Sequence, residues 1–161
     1  MSFFEYPTVG ATQSNAPGKP AAGAFTFLEN LPKGSWEKIL AIVETRHFRL
    51  GDDIIKMGER DDSFYILSSG SVNVVVPDRR GRDTVIVEIP EGSVFGEIAF
   101  FDREPRSATI RASSDGSAIR VTRANFEHLS AWYPVIARQM LLDLGRILAL
   151  RLRWTSAKLR G

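Results

Sequence analysis

Two ionisable residues nine positions apart, Glu97 and Arg106, carry the chemistry of this 161-residue chain. They sit in Phe95-Gly96-Glu97-Ile98-Ala99 and Pro105-Arg106-Ser107-Ala108-Thr109, with small residues beside each. The planar guanidinium of Arg106 can hold two phosphate oxygens at once. A carboxylate such as Glu97 accepts a hydrogen bond from a sugar hydroxyl. Gly96 has no side chain, so a ligand can come close to the main chain there. A short helix beginning around Gly96 to Ala99 would offer unpaired backbone N–H groups, including that of Ile98, to an anionic oxygen. Ser107 adds a hydroxyl, and Ala108 a further amide without bulk. Together these groups suit a sugar phosphate diester, whose single buried charge must be compensated. An ordinary salt bridge between Glu97 and Arg106 is the plain alternative.

The elements that must position this stretch are mostly strands. Short β-rich segments recur between Gly, Asp or Pro: Arg46–Leu50, Ile54–Met57, Ser63–Leu67, Ser71–Val76, Thr84–Ile89, Ser107–Ala112 and Ser117–Thr122. Alternation puts Val72, Val74 and Val76 on one face, and Val85, Val87 and Ile89 on one face of the next strand. Asp78-Arg79-Arg80-Gly81 reads as the hairpin loop between them. Such spacing predicts a closed antiparallel sandwich or barrel. Ahead of it, Trp36, Ile39, Leu40 and Val43 have helical spacing over Ser35–Val43. After Arg123 the pattern is helical again, with a short helix at Asn125–Ala131 and a long one opening at Pro134. Val135, Ile136, Met140, Leu141, Leu144, Ile147, Leu148 and Leu152 cover more than one stripe of that helix. A surface that wide implies contact with both the barrel and a second body. Gly145 is either a weak point or a place for close helix approach.

The fold class is therefore mainly β with flanking α: an antiparallel jelly-roll β-barrel, cupin-like, with an N-terminal helix and a long C-terminal helix. The barrel spans about 46–122 and the C-terminal helices about 124–158, inside one domain of residues 25–161. Residues 1–24, rich in Pro, Gly, Ala, Ser and Thr, form a flexible tail.

Absence of cysteine excludes disulfides, thiolate metal sites and a cysteine nucleophile, and it fits a cytoplasmic location. No apolar run is long enough to insert in a membrane. A metal-dependent barrel enzyme needs clustered histidines, and His47 and His128 lie on distant segments. With no Ser/His/acid set and no distinct carboxylate pair, neither a catalytic residue nor a metal site is assigned, and the chain is expected not to be an enzyme. Residues 131–161 hold Arg138, Arg146, Arg151, Arg153, Lys158 and Arg160 against Asp143 alone. That basic helix is either a solvated face or a contact for something acidic.

The stretch around Glu97 and Arg106 resembles the phosphate-binding cassette of the cyclic-nucleotide-binding domains. These occur in regulatory subunits of cyclic-AMP-dependent protein kinase, in gated ion channels and in the bacterial catabolite activator protein. The likeness covers about residues 28–158 and includes Gly51-Asp52-Asp53-Ile54-Ile55, Met57-Gly58-Glu59 and Phe64-Tyr65-Ile66-Leu67-Ser68-Ser69-Gly70-Ser71-Val72. It implies that Glu97 meets the ribose and Arg106 the phosphate. Arg151-Leu152-Arg153-Trp154-Thr155-Ser156-Ala157-Lys158-Leu159 resembles the dimerisation helix of the activator. That likeness implies a homodimer, with Thr155 and Ser156 at the base and cyclic AMP favoured over cyclic GMP as ligand. Ser107 stands where some cyclic-GMP-binding relatives carry Thr, so base selectivity stays open. The family's helix-turn-helix domain would begin after Gly161, so direct DNA binding is not expected of this chain. The function implied is a noncatalytic cyclic-nucleotide sensor; the alternative is a barrel scaffold for protein contacts that no longer takes nucleotide.

Overall fold

A computed structural model describes residues 27, 28 and 31–160, without the side chain of Lys158; the tail assigned to residues 1–24 lies outside them. Eight strands form two four-stranded antiparallel sheets. One has the order β1 (Glu44–Phe48), β8 (Gly116–Val121), β3 (Phe64–Ser69), β6 (Val94–Phe95). The other has the order β2 (Asp53–Ile55), β7 (Thr109–Ala112), β4 (Val72–Pro77), β5 (Asp83–Ile89). Helix α1 (Ser35–Leu40) precedes them, α2 (Glu97–Asp102) follows β6, and α3 (Arg123–Trp132) and α4 (Pro134–Arg160) close the chain.

Strand alternation builds two cores. In β3, Tyr65 and Leu67 point between the sheets, beside Phe48, Ile54, Ile55, Val72, Val74, Phe95, Ile110 and Ala118. Phe64 and Ile66 point the other way, against Phe100, Phe126, Leu129, Ile136, Met140, Leu144 and Ile147 of the helices. A strand buried on both faces needs apolar residues without interruption, and Phe-Tyr-Ile-Leu supplies them. Tyr65 and Phe95 stack with centroids 5.0 Å apart, which fixes β6 under β3 just before the chain enters the cassette.

The mainly β class with flanking helices is as expected, and the Asp78 loop is the β4–β5 hairpin. Its carboxylate Oδ1 accepts from the amides of Arg80 and Arg82 at 2.7 and 2.9 Å. Three local readings change. Opposite the Val74–Val75 step β5 carries an extra residue, Ile86, and on β4 Val75 is buried and Val76 only partly so. Val85 is exposed because β5 is an edge strand. Helix α1 is less than two turns long and buries Ile39, leaving Trp36 and Leu40 at the surface. The two-residue β6 carries too short a pattern to be read from sequence.

On α4, Ile136, Met140, Leu144 and Ile147 face the barrel, whereas Val135, Leu141, Leu152 and Leu159 are exposed. Open space surrounds the position of a Cβ at Gly145. Asp143, buried on the inner face, accepts from the Leu28 amide at 2.7 Å and from Gln139 Nε2 at 2.8 Å. No helix among the described residues is long and apolar enough to cross a membrane.

Candidate ligand-binding site

A cavity of about 190 Å³ opens beneath α2 and the loop that leads to β7. Its walls include Gly96, Glu97, Ile98 and Ala99 on one side and Arg106, Ser107 and Ala108 on the other, with Ile55 and Ile110 as an apolar floor. Seven of the nine residues singled out from sequence thus line one recess. Thr155 and Ser156 are not among its walls. They sit one turn beyond Arg151 on α4, and Thr155 Oγ1 donates to the Arg151 carbonyl of its own helix at 3.0 Å.

Gly96 makes the recess possible. It caps α2 with φ 78°, a left-handed conformation. A Cβ there would lie 2.9 Å from Arg106 Nη1 and 3.2 Å from both Ile55 Cδ1 and the Ser63 carbonyl. Backbone and guanidinium are therefore packed as closely as glycine allows.

Glu97 and Arg106 do not form a salt bridge with each other. Arg106, 5 % exposed, donates from Nη1 to the Gly96 carbonyl at 2.9 Å and from Nη2 to the Ser63 carbonyl at 2.6 Å. Asp61 stands 3.6 Å from its Nη2. Burial lowers the Arg106 pKa from its ordinary value, opposed by the Asp61 charge and Tyr65; the guanidinium stays ionised. Burial also pushes the Asp61 carboxyl up, but hydrogen bonds from the Ser63 amide and hydroxyl and the charges of Arg120 and Arg106 outweigh it. Asp61 therefore sits below its ordinary value.

Glu97, 1 % exposed, is held instead by Arg151 of α4, which reaches its Oε1 and also donates to the Val94 carbonyl at 2.7 Å. From sequence, Arg151 counts among the basic residues and in the stretch resembling a dimerisation helix, not as a partner of Glu97. The available signal was its position: it continues the buried stripe of Met140, Leu144 and Ile147, where a charge needs a buried partner. Asp61 and Ser63 were missed because they precede the cassette by more than thirty residues and reach it only through the β3 fold.

Among the buried side-chain polar atoms without a hydrogen-bond partner among the described residues are Glu97 Oε2 and Arg106 Nε. One is an acceptor and the other a donor, on residues that line the same cavity. At its rim stand two further carboxylates, Asp102 and Glu104. The arrangement has a place for one hydroxyl donor and one singly charged anionic group, and the rim carboxylates disfavour a more highly charged one.

The chain is 31% identical over 126 residues to a cAMP-activated global transcriptional regulator of Pseudomonas aeruginosa, covering 76% of this chain and 57% of that protein. It is 41% identical over 76 residues to a cAMP-dependent protein kinase regulatory subunit of Dictyostelium discoideum, covering 47% of this chain and 23% of that protein. The chain thus spans less than two thirds of the length of these relatives. Its fold matches the Thermus thermophilus catabolite activator protein with a TM-score of 0.73 at 24% identity, over 84% of this chain and 62% of that one. The family model for the cyclic nucleotide-binding domain matches residues 45–131, from β1 to the end of α3, and the chain belongs to that family.

Proposed function

We propose that the chain is a noncatalytic cytoplasmic sensor that binds a cyclic nucleotide, cyclic AMP in preference to cyclic GMP. The observation that carries this reading is the pair of orphaned buried atoms, Glu97 Oε2 and Arg106 Nε, on the walls of one cavity. A ribose 2′-hydroxyl donates to the first, and a cyclic phosphate oxygen accepts from the second. Asp102 and Glu104 at the rim favour a diester with one negative charge over a monoester with nearly two. The recess lies below the roughly 300–1,000 Å³ of sites that enclose a drug-sized ligand, so it takes the sugar and phosphate and leaves the base toward α4.

Ligand on Glu97 acts on the carboxylate that also anchors α4 through Arg151. Binding therefore biases how that helix sits, to the extent that the two arrangements differ in affinity. Its exposed Leu141, Gly145, Leu152 and Leu159 follow steps of four, seven and seven, which a two-stranded helical seam accommodates. The occupant proposed for that seam is a second copy of the chain, which would bring Thr155 and Ser156 near the base. Direct DNA contact is not part of this reading.

A scaffold that takes no nucleotide is favoured by a different observation: Gly96, Ser63 and Arg151 already engage both charges within the protein. Calorimetric titration with cyclic AMP and cyclic GMP separates the two. A sensor takes up nucleotide, and Arg106→Ala lowers its affinity by about ten- to a hundredfold. No uptake at millimolar nucleotide establishes the scaffold.

A further inference from the structure

The larger cavity of the molecule is not the cassette. A groove of about 640 Å³ is lined by the edge strands β1 and β2. Its carboxylates Glu44, Asp53, Glu59 and Asp61 face Arg46, Lys56 and Arg120, and several pairs are already made: Arg120 with Glu44 and Asp61, Asp53 with Arg111. A lining of such mixed charge selects no ligand. The surface that lacks a partner lies elsewhere, on the outer side of α4.

Trp132, Val135 and Leu142 are 70, 65 and 54 % exposed, although each is large and apolar. Trp132 ends α3 at the corner where α4 begins. The neighbouring Tyr133 ring is already met by α1, whose Lys38 Nζ lies 5.0 Å from its centroid. Val135 and Leu142 are seven residues apart and share one face of α4. Arg138 and Arg146, both exposed, flank Leu142 on that face. Arg138 makes no ion pair among the described residues, and Arg146 comes no nearer to Asp143 than 4.0 Å. At about 100° per residue, this face lies roughly a quarter turn from the seam of Leu141, Gly145, Leu152 and Leu159. A second copy on the seam therefore leaves it open.

The chain carries a match to this face. Leu28 donates its amide to Asp143 Oδ2 at 2.7 Å, which fixes where residues 1–26 join the domain: against the turn of α4 that carries Leu142. Of residues 1–26, Phe3-Phe4-Glu5-Tyr6 alone groups aromatic side chains, and Glu5 is the only acidic residue among the 26. We propose that Phe3-Phe4-Glu5-Tyr6 docks on this face, its aromatic rings over Trp132, Val135 and Leu142 and Glu5 against Arg138. Tyr6 stands 21 residues before Phe27. Such a length of chain spans up to about 70 Å, whereas Asp143 and Val135 are about 12 Å apart along the helix. A tether of this kind gives an effective concentration of about millimolar, so a contact too weak to form between separate molecules forms within one. The docked segment rests on the helix that holds Glu97 through Arg151, and its docking does not depend on the nucleotide reading.

The chain has no cysteine, so Ser2→Cys takes a nitroxide spin label at one place only. In dilute, isotope-labelled protein of full sequence, the label is expected to broaden the amides of residues 132–142 until they lose most of their intensity. Phe3→Ser combined with Phe4→Ser restores that intensity. Val135→Lys, at an exposed side chain, and Arg138→Glu each restore part of it. Broadening that is uniform over the domain, that centres on residues 152–159, or that survives Phe3→Ser with Phe4→Ser overturns the proposal. So does broadening of isotope-labelled chains by separate spin-labelled ones, which marks a second copy as the occupant.

Discussion

The cassette recess and the groove at the β1–β2 mouth differ in a way that volume alone hides. At 190 Å³ against 640 Å³ the recess is the smaller. Yet it holds Glu97 and Arg106, two of the few charged side chains buried among the described residues, each tied to another element. The groove is lined by half-exposed ionic side chains that water can screen. A burial-dependent site is assembled together with the core and resists change, whereas a solvated one can vary at little cost to folding.

Breaking the comparison starts at Arg151, where the effect is largest. Arg151→Met leaves the Glu97 carboxylate buried without a counter-charge, and stability measured by chemical denaturation should fall by about 3 kcal/mol. Adding Glu97→Gln should restore a substantial part of that loss, as coupled neighbours do. Gly96→Ala forces a side chain into left-handed backbone against Arg106 Nη1, with an expected loss of about 1–2 kcal/mol in the same assay and weaker nucleotide binding by calorimetry. Equal tolerance at Gly96 and at the groove rim would erase the distinction.

Asp61 lines the groove and stands 3.6 Å from Arg106 Nη2 of the recess, and so sharpens the contrast. Its folded pKa lies below its ordinary 3.8, so its contribution is fully present above that value and lost as pH falls through the lower folded one. Thermal unfolding followed from pH 5 downward should show the wild type losing more stability than Asp61→Asn. The smallest effect is expected at Glu59, exposed on the groove rim. Glu59→Gln should change stability by under about 0.5 kcal/mol.

Sequence made the cassette legible because its parts are contiguous: Gly96, Glu97 and Arg106 fall within one short stretch whose residue types already suggest their chemistry. The strands were legible from alternation, including both that flank the Asp78 turn. What escaped depends on chain segments that meet only after folding. Asp61 and Ser63 reach Arg106 through the start of β3, and Arg151 reaches Glu97 from the far end of α4. The bulge at Ile86 escaped for another reason, since the unbroken apolar run Val85-Ile86-Val87 carries no mark of where the pleat slips.

Strand β3 has a further consequence. With both faces covered and β8 and β6 on its two sides, its amides open only when the whole molecule does. Placed in heavy water, the protein should retain protium longest at Tyr65, Ile66 and Leu67, so the exchange clock of these three amides reads global unfolding free energy from within the native state.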